Sequence, residues 1–316
     1  MKQENKILIT GSSGMVGSAL SRCLFKNGFT NLLTPERIDL DLQNHSSVDN
    51  YFSINKPEYV FMVAAKVGGI AANISDPVGF LQENLDLELN LFKACYKHKT
   101  KKNLFLGSSC IYPGNAPQPI REEYLMTGGP LEPTNEGYAL SKIVGLNLAK
   151  YYYAQYKMNT VCPMPCNIYG TNDHFESSKS HVLPALISKF VNAKDDCLEE
   201  VVLWGTGIAR REFIHVEDAA EALIFLMNSN YDQPDIVNIG YGSDISIREL
   251  ADLIKMKVGF TGKISWDSTK PDGMLRRCMD VSKMRNLGYS PSIPLQKGIE
   301  KTIQEYIELK YERKFE

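Results

Sequence analysis

The chain has 316 residues, 43% of them hydrophobic and 23% charged, with 35 basic against 37 acidic side chains and a formal net charge of −2. That composition belongs to a globular protein with a sizeable core, and the balanced charge offers no basic surplus for nucleic acid or an anionic membrane. No apolar run approaches the ~20 residues of a membrane-spanning helix, and Met1-Lys2-Gln3-Glu4-Asn5 is no signal peptide, so a cytoplasmic protein is expected.

Lys6 to Thr10 (K-I-L-I-T) is a short apolar run suited to a buried parallel strand. Gly11-Ser12-Ser13-Gly14-Met15-Val16-Gly17 follows, then Ala19, Leu20, Cys23 and Leu24 at helical spacing. In this strand, glycine turn and helix, Gly11 allows a tight turn, Gly14 lets backbone approach a pyrophosphate, and Gly17 lets helix pack on strand. The anion would sit at the positive helix end. Further strands are predicted at 30–34, 59–64, 103–107 and 159–164, and helices at 17–27, 46–54, 78–98 and 136–156. That alternation reads as βαβ units on a parallel sheet.

The run Leu104 to Tyr112 (L-F-L-G-S-S-C-I-Y) ends an apolar strand in two serines and a cysteine. Open α/β sheets bind ligands beyond the carboxyl ends of their strands, and hydroxyls there can hydrogen-bond a substrate carbonyl. Residues 114–133 hold four prolines and three glycines and read as a loop over the site. Then E-P-T-N-E-G-Y-A-L-S-K brings Tyr138 and Lys142 one helical turn apart on one face. An ammonium beside a phenol favours the phenolate, and a phenol so tuned can protonate a carbonyl oxygen and recover the proton. Alone, Y-x-x-x-K also fits a solvated helix face; the glycine loop and the serine–cysteine strand end favour the chemical reading.

After about 165 the alternation loosens. Helices are predicted at 181–192, 217–228, 246–258 and 296–313, short strands near 201–204, 236–239 and 263–266, and the charged end K-Y-E-R-K-F-E is expected to fray. Seven cysteines without C-x-x-C, and five histidines without ligand spacing, support neither a disulfide framework nor a metal site. Cys166, beside Asn167, reads as a packing residue.

T-G-x-x-G-x-x-G, S-S-C and Y-x-x-x-K in this order resemble the extended short-chain dehydrogenase/reductases and, within them, the GDP-L-fucose synthase family. The blocks that carry the resemblance are G-M-V-G-S-A, A-A-K-V-G-G-I, G-S-S-C-I-Y-P, E-P-T-N-E-G-Y, N-I-Y-G, S-H-V-L-P-A-L, R-E-F-I-H-V-E-D and K-P-D-G, spread over essentially the whole chain. The resemblance implies an α/β fold: a Rossmann-type doubly wound parallel sheet with a smaller, interwoven α/β substrate domain. Residues 1–165 would bind the dinucleotide, with segments near 205–240 returning, and 166–316 would mainly bind substrate.

It also implies hydride transfer from NADPH to the C4 ketone of a GDP-4-keto-6-deoxy sugar, with 3,5-epimerisation, giving GDP-L-fucose. Tyr138 would protonate the alkoxide, Lys142 would lower the phenol pKa and hold the nicotinamide ribose, and Ser108 would bond the same oxygen. Cys110 would be the epimerisation base and His181 the acid. The glycine loop, with Arg37, Asp41, Leu42, Ala65, Leu106, Gly107, Lys142, Pro165, Asn167, Ile168 and His181, would border the cofactor. An arginine suits the NADP 2′-phosphate and an acidic residue the NAD ribose. T-P-E-R-I-D-L-D-L offers Arg37 for the first and Glu36 or Asp39 for the second, while the family's glycine-loop arginine is Ser13 here; arginine–phosphate geometry favours NADPH over NADH.

Ser109, Asn167, Lys189, Trp204, Arg211 and Asp272 would contact substrate, Arg211 through the diphosphate. Lys189 stands where the family carries an arginine, which points to a second reading: a C4-reductase for another GDP-4-keto-6-deoxy sugar, such as a heptose, with weak or no epimerase activity. A 4,6-dehydratase would need a carboxylate where this chain has S-S-C, and a cofactor-binding regulator with a dead site would not need Tyr138, Lys142 and Ser108. The helices at 78–98 and 136–156 commonly form a dimer interface in this superfamily, so a homodimer is expected.

Overall fold

Strand β1 (Ile7–Thr10) is buried at all four positions, which is why it is continuously apolar rather than alternating. The computed structural model describes residues 1–175, 180–270 and 272–312. From β1 the chain passes through α1 (Met15–Lys26), β2 (Leu32–Leu33), α2 (His45–Asn55), β3 (Tyr59–Met62), α3 (Ile70–Ser75), α4 (Pro77–Lys97), β4 (Lys102–Phe105), α5 (Glu136–Tyr156) and β5 (Thr160–Pro165). The helix starts carry their own stop signals for unpaired N–H groups: Asn44 caps α2 by accepting from Ser47, and Asp76 caps α4 by accepting from Gly79 ahead of the Pro77 turn.

The sheet built by these units is parallel, in the order β2-β1-β3-β4-β5-β9, where β9 (Ile236–Ile239) arrives from much later in the chain. The chain leaves β1 on one side to form β2 and returns on the other to form β3. This reversal leaves a crevice above the carboxyl ends of β1 and β3, the place where such sheets take their ligands. Thr10 keeps those ends in register: its hydroxyl accepts from Val63 N at 3.2 Å and Ala64 N at 3.3 Å and donates to Phe61 O.

The second half supplies β6 (Asn167–Tyr169), α6 (Val182–Asp195), β7 (Glu200–Trp204), β8 (Arg210–His215), α7 (Val216–Asn228), β10 (Asp244–Ser246), α8 (Ile247–Val258), β11 (Lys263–Asp267), β12 (Arg276–Arg277), α9 (Ser282–Asn286) and α10 (Leu295–Glu312). Strand β8 pairs with β6 and β12 in parallel and with β10 antiparallel, and β7 pairs with β11. Leu183, Phe190, Leu250 and Ile299 form one apolar cluster here, whereas Ala219, Leu223 and Leu226 of α7 pack into the core of the six-stranded sheet. No helix among the described residues is long and apolar enough to cross a membrane.

The expected helices stand within three residues of their boundaries, but several strands are shorter. The one expected at 30–34 keeps two residues, and those expected at 59–64 and 103–107 end at Met62 and Phe105. Leu106 and Gly107 leave the ladder because they splay toward different strands, Leu106 N to Met62 O and Gly107 N to Pro163 O. The sequence did not signal β6, β8, β10, β12, α3 or α9. Strand β8 (R-R-E-F-I-H) hides its buried half behind two arginines, and the others have six residues or fewer. The expected loop at 114–133 contains a 3₁₀ turn at Glu122–Tyr124 and is pinned: Ile120 N bonds Cys278 O at 2.7 Å, and Tyr112 Oη donates to Asn238. Of the charged end, residues through Glu312 belong to α10 and 313–316 lie outside the described residues.

Candidate active site

The glycine loop joins β1 to α1 at the crevice. Gly11 has φ +67°, and a Cβ on it would stand 2.9 Å from Ala64 Cα. A Cβ on Gly17 would fall into the Gly11 carbonyl, with Gly11 C and Ser12 Cα each 2.7 Å away, so strand, turn and helix close on one another only without side chains here. Gly14 differs. Its Cβ would meet only Gly11 O, at 3.4 Å, so the space above it is open. Gly14 is the N-cap of α1, makes no side-chain cap, and no acidic residue occupies the first turn, Met15 and Val16 included. The orphan N–H groups and positive end of α1 therefore face open space, as an anion site requires.

Ser12 donates to Pro35 O, which draws the segment after β2 against the loop; two residues on, Arg37 is exposed and makes no ion pair among the described residues. Asp41 turns its carboxylate onto Gln43 N, and Leu42 O accepts from Asn90. On the other wall, Ala65 follows β3. Ser13 O accepts from Asn172 Nδ2 at 2.8 Å, and Asn172 N donates to Glu305 at 2.9 Å. This tether was not foreseen; its only trace in the sequence is an Asn close behind a Gly, at φ +66°.

The gap between β4 and β5 forms the floor. Gly107 bonds Pro163 O and has no room for a side chain against Met164. Pro163 and Pro165 have their missing N–H on the β4 side, since Pro163 O also points there, and β5 pairs with β4 only as far as Val161. Proline is thus placed where no ladder partner exists. Asn167 donates to Glu212 O at 3.0 Å, and Ile168 beside it is half-buried. Cys166 is buried and bonds its N–H to Ile239 O, a packing residue as expected.

Above this floor Ser108 Oγ accepts from Cys110 N at 3.2 Å and hydrogen-bonds the Tyr138 phenol. Burial pushes the phenol pKa up, and the nearby Cys110 and Glu88 add to that, against the Ser108 bond. The expectation that Lys142 would lower it is not met. The Lys142 ammonium lies 5.9 Å from the Tyr138 ring centroid, 4.8 Å from that of Phe105, and 3.2 Å from Glu88 Oε1. Its charge is taken up by a carboxylate that the sequence reading missed. Ser109 is a second correction: it is buried, 4% exposed, and offers almost no surface to a substrate.

Cys110 is half-buried and receives two donors: Asn135 Nδ2 at 3.1 Å and Arg277 Nη1 at 3.5 Å. Neither residue was foreseen. Asn135 was legible within E-P-T-N-E-G-Y; Arg277 sits on a two-residue strand no pattern marks. Arg211 lies in the same basic group, and burial together with Arg277 lowers its pKa to about 10, opposed by Glu132, Asp272 and Cys110. His181 stands at the N-cap of α6, and desolvation by the surrounding protein, with His174 nearby, lowers its pKa. No side-chain hydrogen bond links it to Cys110 or Tyr138 among the described residues.

At the outer end Trp204 is 66% exposed, with Lys270 Nζ 5.7 Å from its ring, so it is no core residue. Lys189 reaches Val202 O at 3.4 Å. Asp272, expected at sugar or base, has both oxygens engaged by Thr206, each at 2.7 Å, and so shapes the turn after Trp204.

Residues 7–240 match the NAD dependent epimerase/dehydratase family. The chain belongs to that family. GDP-L-fucose synthase 1 of Arabidopsis thaliana is 49% identical, with 96% of this chain and 93% of that protein covered. Among solved structures, a GDP-D-glycero-L-gluco-heptose synthase from Campylobacter jejuni, in the presence of NADPH, superposes with a TM-score of 0.87 at 34% identity, covering 98% and 99%. A GDP-L-fucose synthetase from Naegleria fowleri bound to NADP gives 0.88 at 27%, covering 99% and 96%. This family member therefore has the Rossmann-type sheet of the extended short-chain dehydrogenase/reductases.

Proposed function

We propose that the chain is an NADPH-dependent nucleotide-sugar oxidoreductase. It reduces the C4 ketone of a GDP-4-keto-6-deoxy sugar after epimerisation at C3 and C5, and GDP-L-fucose is the product. The observation that carries this reading is one constellation at the end of β4: a phenol bonded to Ser108, beside a thiol that receives an amide and a guanidinium. The relatives named as GDP-L-fucose synthases support the substrate, and the neighbours solved with NADPH or NADP support the cofactor.

The residues fit a dinucleotide: the α1 terminus without a side-chain cap and open Gly14 suit a pyrophosphate, and Arg37, with no ion pair among the described residues, suits a 2′-phosphate. When bound, NADPH supplies the hydride. Tyr138, kept protonated by burial, gives its proton to the C4 oxygen while Ser108 steadies both groups. Cys110, which receives the Asn135 amide and the Arg277 guanidinium, removes a proton alpha to the ketone, and His181 as the acid returns one to that carbon. Arg211 and Trp204 hold the nucleotide end. Residues 1–165, with the 205–240 return, form the cofactor half, and the remainder closes over the sugar.

A second reading rests on Lys189, a point charge bonded to Val202 O where a forked guanidinium is expected: a longer sugar, such as a heptose, with little epimerisation. Turnover of GDP-4-keto-6-deoxymannose with NADPH in deuterated water separates the two. Deuterium at C3 and C5 of the reduced product supports the first, unlabelled product supports the second, and no NADPH oxidation with any GDP-4-keto sugar overturns both. The enzyme is also proposed to be cytoplasmic and a homodimer through α4 and α5, whose outer surface exposes Tyr96, Leu140, Val144, Tyr151 and Tyr156.

A further inference from the structure

Glu88 of α4 is 1% exposed, in the core between α4, α5 and β4. Its Oε1 lies 3.2 Å from Lys142 Nζ, both side chains are 2% exposed, and neither carboxylate oxygen has another hydrogen-bond partner among the described residues. The chain makes room for this carboxyl. A Cβ on Gly145, three residues after Lys142 in mid-helix, would come within 2.8 Å of Glu88 Oε2 and collide with the Phe105 ring. A glycine there costs the helix about 1 kcal/mol relative to alanine. Stability does not account for the arrangement either, because a buried ion pair is generally no better than well-packed apolar residues of its volume.

We propose that Glu88 is the positioning residue for Lys142: its carboxylate anchors the amino group in the core beside the phenol, and its presence sets the alkaline edge of catalysis. The inference rests on the proposed reductase reading. The titratable groups that face Glu88 among the described residues are Lys142 and, farther off, Tyr138, both of α5; β4 presents only Phe105, and Cys110 faces Tyr138 rather than Glu88. Burial raises the Glu88 pKa to about 7 against the pull of Lys142, so at pH 8 it is ionised. A negative charge there opposes ionisation of the Tyr138 phenol, whose pKa Glu88 helps to hold up. Removing it lets the phenol ionise at lower pH, and a phenol that has lost its proton cannot protonate the alkoxide.

The test compares wild type with Glu88→Gln, Glu88→Leu and Glu88→Asp in NADPH oxidation by the GDP-4-keto sugar that wild type accepts. Expected for Glu88→Gln is a kcat about tenfold lower across the neutral range, from the displaced Lys142 side chain, a sugar KM within about threefold, and separately an alkaline limb of kcat about one pH unit lower, the size of a single charge–charge interaction at a buried site. Glu88→Leu, which leaves the Lys142 ammonium buried without its partner, loses activity equally, melts lower than wild type and shows the same lowered limb as Glu88→Gln, and Glu88→Asp returns the limb to its wild-type position even at reduced kcat. Limbs that coincide for wild type and Glu88→Gln, or a limb in Glu88→Asp displaced as far as in Glu88→Gln, overturn the proposal. A wild type that turns over no GDP-4-keto sugar instead overturns the reductase reading. Should either Glu88→Gln or Glu88→Leu fail to fold, the other, which equally lacks the charge, supplies the limb that is compared with wild type and Glu88→Asp.

Discussion

Replacing Gly17 by alanine separates close approach from helix propensity. Gly17 lies in α1 without a positive φ, so propensity alone makes alanine stabilising by about 0.5–1 kcal/mol. The structure gives the opposite sign: the added methyl would land on the Gly11 carbonyl and within 2.7 Å of Ser12 Cα, all backbone that can move only by opening the β1–α1 turn. Overpacking of this kind costs about 1–3 kcal/mol, leaving a net loss of roughly 1–2 kcal/mol and a drop of about 1.5–3 °C in melting temperature. Gly14→Ala is the companion. Its methyl would meet only Gly11 O at 3.4 Å, so the melting temperature should stay within about 2 °C, while NADPH affinity falls at least about tenfold, or 1.4 kcal/mol, because the methyl fills the anion's approach. Thermal melts with and without NADPH, and a fluorescence titration of NADPH, read both effects. A Gly17→Ala protein as stable as wild type would refute the packing argument, and a Gly14→Ala protein with wild-type NADPH affinity would remove the pyrophosphate from this loop.

Tyr138→Phe should lower kcat at least about a thousandfold with NADPH affinity within about twofold, measured by NADPH oxidation and by titration; surviving turnover would mean that another group protonates the alkoxide. Arg37→Ala should weaken NADPH by about 10–100-fold, the worth of a charged hydrogen-bonded pair, and leave NADH nearly unchanged; parallel losses for both cofactors would place the 2′-phosphate elsewhere. Arg277→Met should cut deuterium incorporation at the carbons alpha to the ketone at least about tenfold, with ketone reduction less affected, because Cys110 loses the guanidinium 3.5 Å from its sulfur. Incorporation at the wild-type rate would take the guanidinium out of the epimerisation step.

The sheet was legible because its strands are buried on both faces and therefore continuously apolar, as Ile7 to Thr10 and Tyr59 to Met62 are. The long helices followed from periodicity and caps. Strand β8 was not legible, because its order comes from partners on both sides rather than from its own alternation. In the site, Ser108, Cys110 and Tyr138 do meet around one point, and Gly11, Gly14 and Gly17 each have a distinct spatial reason. Glu88 and Arg277 escaped notice since each reaches the site from an element remote in sequence: a glutamate within L-D-L-E-L-N-L reads as one more helix charge. The supposed Lys142 effect on the phenol failed for the same cause, as the sequence displays the pair four residues apart but not the carboxylate between helices that takes up the ammonium.

Pro163 and Pro165 carry a mechanical consequence. A parallel sheet left to itself would go on zippering toward its strand ends, and every added rung would narrow the mouth in which the sugar must lie. Two residues incapable of donating a rung limit that propagation to the single bond Gly107 gives Pro163 O, so the strands have no further ladder to close and the protein need spend no ligand affinity on prising one apart.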